Sequence, residues 1–137
     1  MTPATTPGSG ERILHGPSEL HADATAPKHA RAILAALDAE VDAEAIELAQ
    51  LLLSELATNV VRHTACDSMR ITVRADDSRL RVEVTDCDAS HTPRVAPLDP
   101  TVPGGAGLRI VDRMATRWGA TELAHGKCVW FELPLAG

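Results

Sequence analysis

The stretch from Leu51 to Thr64 sets a carboxylate, an amide and an imidazole at spacings of four: Glu55, Asn59 and His63. On an α-helix this spacing stacks the side chains along one line. One turn earlier that line is apolar, at Leu48, Leu51 and Leu52, while Leu53, Leu56 and Val60 lie on the adjoining apolar side. Glu55 and Asn59 therefore stand at the edge of a core-facing stripe. A charge placed there needs a partner or a solvated cavity, because unpaired burial is costly or shifts the pKa. A structural answer is a Glu55 ion pair with Arg62 or His63 and an Asn59 cap on a neighbouring strand. Two further features offer chemistry. Asp86 ends the alternating run "LRVEVTD", and a carboxylate at a strand end can accept hydrogen bonds from an exocyclic amine or simply form a turn. In "PGGAGLRIV", Gly104, Gly105 and Gly107 open a helix. Backbone N–H groups in such a loop can approach phosphate, although many glycine-rich entries are plain turns. Gly105-x-Gly107 is neither a P-loop nor a dinucleotide fingerprint, since no Gly-Lys-Ser/Thr follows it and it lacks a third glycine.

The elements that must position these groups follow from periodicity. Residues 1–16 are predicted to be a loose N-terminal tail, with short strands possible on either side of Gly16-Pro17, and residues 17–137 one domain. "TAPKHARAILAALDAEV" reads as a helix with Ala30, Ile33, Leu34 and Leu37 as its stripe and Asp23 or Thr25 as cap. A second helix runs from about Asp42, a plausible N-cap, to His63. The period then becomes two: "MRITVRA" and "LRVEVTD" flank the turn "ADDS" as an antiparallel hairpin with one wet face. The proline-rich stretch "CDASHTPRVAPLDPTVPGG" exceeds a routine connection and suggests a functional loop or lid. "AGLRIVDRMATRWG" is a third helix, with Leu108, Ile110, Val111 and Met114 apolar, and "TELAHGKCVWFELPL" a closing hairpin turning at His125-Gly126. The expected architecture is α+β, a two-layer sandwich with a mostly antiparallel sheet covered on one face by three helices.

Composition narrows the function classes. With 137 residues the chain can bury a core, and apolar residues make up 45% of it. Aromatics are only 2% and the net charge is -6, which argues against a nucleic-acid-binding face. "MTPATTPGSG" has no apolar run, so no signal peptide is expected, and no stretch is apolar for long enough to span a bilayer. Cys66, Cys87 and Cys128 are odd in number and form no CxxC pair, so the expectation is reduced thiols in a cytosol, with neither a disulfide nor a zinc site.

Taken together, these residues resemble the Bergerat-fold ATPase superfamily of gyrase, histidine kinases and heat-shock chaperone ATPases. Glu55-x-x-x-Asn59 looks like its N-box, Asp86 like the adenine-reading residue, "GGAGLRIV" like the phosphate loop and "GKCVWFELPL" like the closing strand. The phrases "SELATNVVRH" and "GLRIVDRMATRWG" are similar to the anti-sigma factor serine/threonine kinase branch of actinomycete type, and the likeness covers roughly residues 18–135. The resemblance implies a cytoplasmic protein kinase using ATP and Mg2+. Glu55 would be the catalytic base, Asn59 the magnesium ligand and Asp86 the acceptor of the adenine amine, while Gly105, Ala106, Gly107 and Leu108 would hold phosphate. It implies a sigma factor and an anti-sigma antagonist as partners, and a possible homodimer. The competing function is a nucleotide-sensing interaction module with little or no transfer activity; a third is a structural adaptor. Arg62 and His63 are expected to border the site, and Arg94 and Arg109 are candidates to meet phosphate, with solvated surface as the plainer reading. Two positions depart from the family's pattern: Asp88 stands where glycine is usual, and Cys128 where the closing strand usually has threonine.

Overall fold

A computed structural model describes residues 10–89 and 107–136. Along the chain run β1 (Arg12–His21), α1 (Ala26–Ala35), α2 (Ala43–His63), β2 (Ser68–Ala75), β3 (Arg79–Asp86), α3 (Gly107–Met114), β4 (Arg117–Leu123) and β5 (Gly126–Pro134). The five strands form one sheet in the order β1-β2-β3-β5-β4, and every neighbouring pair is antiparallel. The chain enters β4 at one edge and returns along β5, which lies inside against β3. All three helices contribute to one core with β2, β3 and β5, through residues such as Leu34, Leu53, Leu56, Val111, Ile71, Val82 and Phe131. This is the α+β sandwich that periodicity predicts.

Alternation decides which strand residues enter that core. Leu80, Val82 and Val84 of β3, and Val129, Phe131 and Leu133 of β5, point at the helices and are buried. The register pairs Val82 with Phe131 and continues without a break to Thr85 with Cys128 and Asp86 with Lys127. Opposite residues of an antiparallel pair share a face, so Asp86 and Lys127 lie on the helix side and Cys128 on the other.

The two large helices are set by their ends and stripes. Asp42 caps α2 by accepting a hydrogen bond from the Ala45 N–H at 3.2 Å, which satisfies one of the free donors of the first turn. Its other carboxylate oxygen accepts from the Ala136 N–H at 3.3 Å and ties the chain's end to this helix. Along α1, Ala30, Leu34 and the following Leu37 are buried as the stripe requires. Leu51 of α2 departs from expectation and is exposed, since the core takes the side of Leu52, Leu53 and Leu56.

Three further expectations are corrected. Residues 12–16, placed in the tail, belong to β1, and one strand with register shifts passes through Gly16-Pro17 rather than stopping on either side. An edge strand can do this because proline forfeits a donor only on a ladder that has a free side. Gly16 has φ +90, and a Cβ there would overlap the Ile71 carbonyl oxygen, so glycine is what lets β1 stay against β2. Second, Cys66 and Cys87 form a disulfide, with Cα atoms 5.8 Å apart; sequence distance hid a proximity that the sheet creates. Third, the helix-free sheet face is not simply wet: Thr72, Arg81, Glu83, Trp130 and Glu132 are all buried there against one another.

Candidate nucleotide site

α2 supplies the first two groups. Glu55 and Asn59 are both half-buried, beside the fully buried Leu52, Leu56 and Ala57. Among the described residues neither side chain takes part in a hydrogen bond or ion pair, so the structural alternative of a Glu55 pair with Arg62 or His63 is not made. A partly desolvated carboxylate and amide without partners are open to a ligand.

β3 and β5 supply the third group. Asp86 is 6% exposed and sits where β3 leaves the sheet. The start of β5 is pressed against it: a Cβ on Gly126 would overlap the Asp86 carbonyl oxygen. That close approach brings Lys127 alongside. The Lys127 ammonium lies 2.9 Å from Asp86 Oδ2 and 3.2 Å from Oδ1, and is itself only 7% exposed. The Asp88 N–H donates to Asp86 Oδ1 at 2.8 Å, and the Asp88 carboxylate comes within 3.8 Å of the Lys127 ammonium. Asp88 thus helps balance the lysine's charge.

Lys127 is the residue that sequence reading missed, and the signal was present. Counting back in twos from Leu133, Phe131 and Val129 reaches Lys127, whereas Cys128 falls on the opposite face. The closing-strand position that meets Asp86 is therefore Lys127. Cys128 instead makes a hydrogen bond with Thr85, and burial pushes its thiol pKa up.

The end of α2 meets the end of β3 through Cys66–Cys87, reinforced by the Cys87 N–H, which lies 3.1 Å from Cys66 Sγ. A hollow of about 540 Å³ opens at this junction, bordered by Arg62, His63, Cys66, Cys87 and Asp88. Arg62 and His63 line this hollow, whereas Glu55, Asn59 and Asp86 do not. Among the described residues no cluster of three or more His, Cys, Asp or Glu could hold a metal. Gly107 opens α3 and Leu108 packs half-buried against the core. Gly104, Gly105, Ala106, Arg94 and most of the proline-rich stretch lie outside the described residues. Arg109 is half-buried and already engaged.

Glu55, Asn59 and Asp86 lie on a layered antiparallel sheet and on a helix packed against it. The family model for the histidine kinase-like ATPase domain matches residues 20–133, and the chain belongs to that family. Membership implies ATP binding. A search of curated proteins returns no match. No helix among the described residues is long and apolar enough to cross a membrane.

Proposed function

We propose that the protein is an ATP-dependent serine kinase of the anti-sigma-factor type. It would regulate transcription by holding a sigma factor and phosphorylating a serine of an anti-sigma antagonist. The observation that carries this reading is the pair Glu55 and Asn59, half-buried one turn apart on α2 and without a side-chain partner among the described residues. In this reading Glu55 accepts the proton of the attacking serine hydroxyl. Asn59 offers its side-chain oxygen to magnesium, and Asp86 accepts the exocyclic amine of the base. ATP and magnesium, when bound, supply the phosphoryl group and the neutralisation of its charge. Gly107 and Leu108, at the start of α3, are proposed to face the phosphates with their N–H groups. The partners, a homodimer and a cytoplasmic setting rest on the resemblance, and the disulfide removes the cysteine argument for the last of these.

The test is phosphoryl transfer from Mg-ATP to a purified candidate antagonist. Wild type is expected to label the antagonist's serine, and Glu55→Ala to lower the rate by about 10²–10⁴-fold while still binding ATP. Asn59→Ala is expected to lose the magnesium dependence of binding. Equal labelling by wild type and Glu55→Ala removes the base assignment. The second reading, a nucleotide-sensing interaction module, draws support from Lys127, which already engages the base-reading carboxylate. ATP binding with no phosphate transferred would favour it. An unchanged melting temperature with saturating ATP, ADP and magnesium would favour an adaptor that binds no nucleotide.

A further inference from the structure

Asp86 is not a lone carboxylate. Its Oδ1 accepts from both Lys127 and the Asp88 N–H, at 3.2 and 2.8 Å, whereas Oδ2 is in ion-pair contact with the Lys127 ammonium at 2.9 Å. A carboxylate oxygen has two lone-pair directions, so Oδ2 keeps one acceptor site. The ammonium has three N–H donors. One serves Asp86 Oδ1 and another reaches the Asp88 carbonyl oxygen at 3.4 Å, the longer of its two hydrogen bonds. That weak contact is the one an incoming acceptor would replace. The buried pair can thus present one acceptor and one donor side by side.

We propose that Lys127 is a specificity-determining residue that widens base selection at this site from adenine to purines in general. The inference rests on the nucleotide reading above. A purine edge carries a donor and an acceptor at adjacent positions, but in opposite order for the two classes. A 6-amino purine donates from its amine and accepts at N1; a 6-oxo purine accepts at its oxygen and donates from N1. A lone carboxylate is acceptor-only, so it favours the amine and repels the 6-oxo group. Paired with Lys127, the same carboxylate serves either order: the amine on Asp86 with N1 on Lys127, or the 6-oxo oxygen on Lys127 with the N1 hydrogen on Asp86. Burial keeps the two groups together, because separating them leaves a desolvated charge unpaired.

Displacement of a fluorescent N-methylanthraniloyl-ATP by ATP and by ITP, in magnesium buffer, tests this. The two competitors differ only at the 6-position and the N1 hydrogen. The wild-type protein is expected to bind them within about threefold of each other, and Lys127→Thr to prefer ATP by about tenfold or more. Lys127→Arg, which keeps a cationic donor, should retain the narrow ratio. Circular dichroism and melting curves show whether each variant is folded, and the wild-type ratio is informative by itself. A preference of about tenfold for ATP in the wild type, or a ratio unchanged in folded Lys127→Thr, overturns the role of Lys127 and leaves the nucleotide site standing. No nucleotide binding by folded wild type or variants overturns the site and this inference with it.

Discussion

At the scale of single residues, a step of one residue along β5 separates two environments. Lys127 faces the helices and the Asp86 carboxylate, whereas Cys128 faces the far side of the sheet and Thr85. Burial is the largest cause raising the Cys128 thiol above its ordinary pKa of 9.0, because the thiolate loses solvation. The linkage sign follows. The folded chain keeps the proton longer than the unfolded one, so this group favours folding below pH 9 and its contribution is lost as pH rises through the folded value. Wild-type stability is expected to fall above pH 9 more steeply than that of Cys128→Ala, measured by urea unfolding at several alkaline pH values. Superimposable pH profiles would show that Cys128 ionises equally in both states. Cys128 should also resist alkylation at neutral pH, since the thiolate is the reactive form.

At the scale of elements, the site depends on how α2 is held against β3. Leu52, Leu53, Leu56 and Val60 bury one side of the helix, and this fixes where Glu55 and Asn59 emerge. Asp42 anchors its beginning. Its far end is joined to β3 by Cys66–Cys87, 21 residues apart in sequence. Closing a loop of that length constrains the unfolded chain, so reduction is expected to lower the unfolding free energy by about 2–4 kcal/mol. Denaturation with and without dithiothreitol measures it, and Cys66→Ser should mimic the reduced protein. A stability indifferent to both would mean that the bond contributes nothing in solution. At the other end of the β2–β3 hairpin, the Asp76 carboxylate accepts from the Ser78 and Arg79 N–H groups at 2.8 and 2.9 Å, which holds its pKa below the usual value. That turn fixes the register which finally sets Asp86 at the mouth of the sheet.

At the scale of the whole molecule, the sheet face away from the helices is closed by charge rather than by a second apolar layer. Arg81 bonds Glu83 at 2.8 Å and Glu132 at 3.1 Å, Arg74 and Arg79 add outer contacts, and the Arg81 guanidinium lies 4.0 Å from the centre of the Trp130 ring. Arg81 Nη2 is the one buried side-chain nitrogen or oxygen among the described residues without a hydrogen bond. Stacking on the indole face gives that end of the cation an electrostatic partner. Arg81→Ala is expected to cost about 3–5 kcal/mol, because Glu83 and Glu132 lose their buried cation and keep only the outer arginines. Arg79→Ala, at a side chain 47% exposed, should cost about 0–1 kcal/mol. Urea midpoints for the two variants decide between a buried network and a set of independent surface pairs. Comparable small losses would mean that water already screens Arg81.

The sequence by itself determined most of the elements. Period 3.6 marked α1 and α2 and period two the β2–β3 hairpin, whereas Arg117–Gly119, read as the end of the third helix, begin β4; the Asp42 cap was legible because local hydrogen-bonding rules act within a few residues. It also made Glu55, Asn59 and Asp86 the residues to watch, since polar groups interrupting an apolar stripe violate the local pattern. What only the tertiary structure decided were contacts between segments far apart in the chain. The β3–β5 register matched Asp86 with Lys127 across 41 residues, and the same packing joined Cys66 to Cys87. It also buried Arg81 among carboxylates from two strands. Local periodicity tells which way a side chain points. Only the pairing of strands, fixed by the shared core, tells what it meets there.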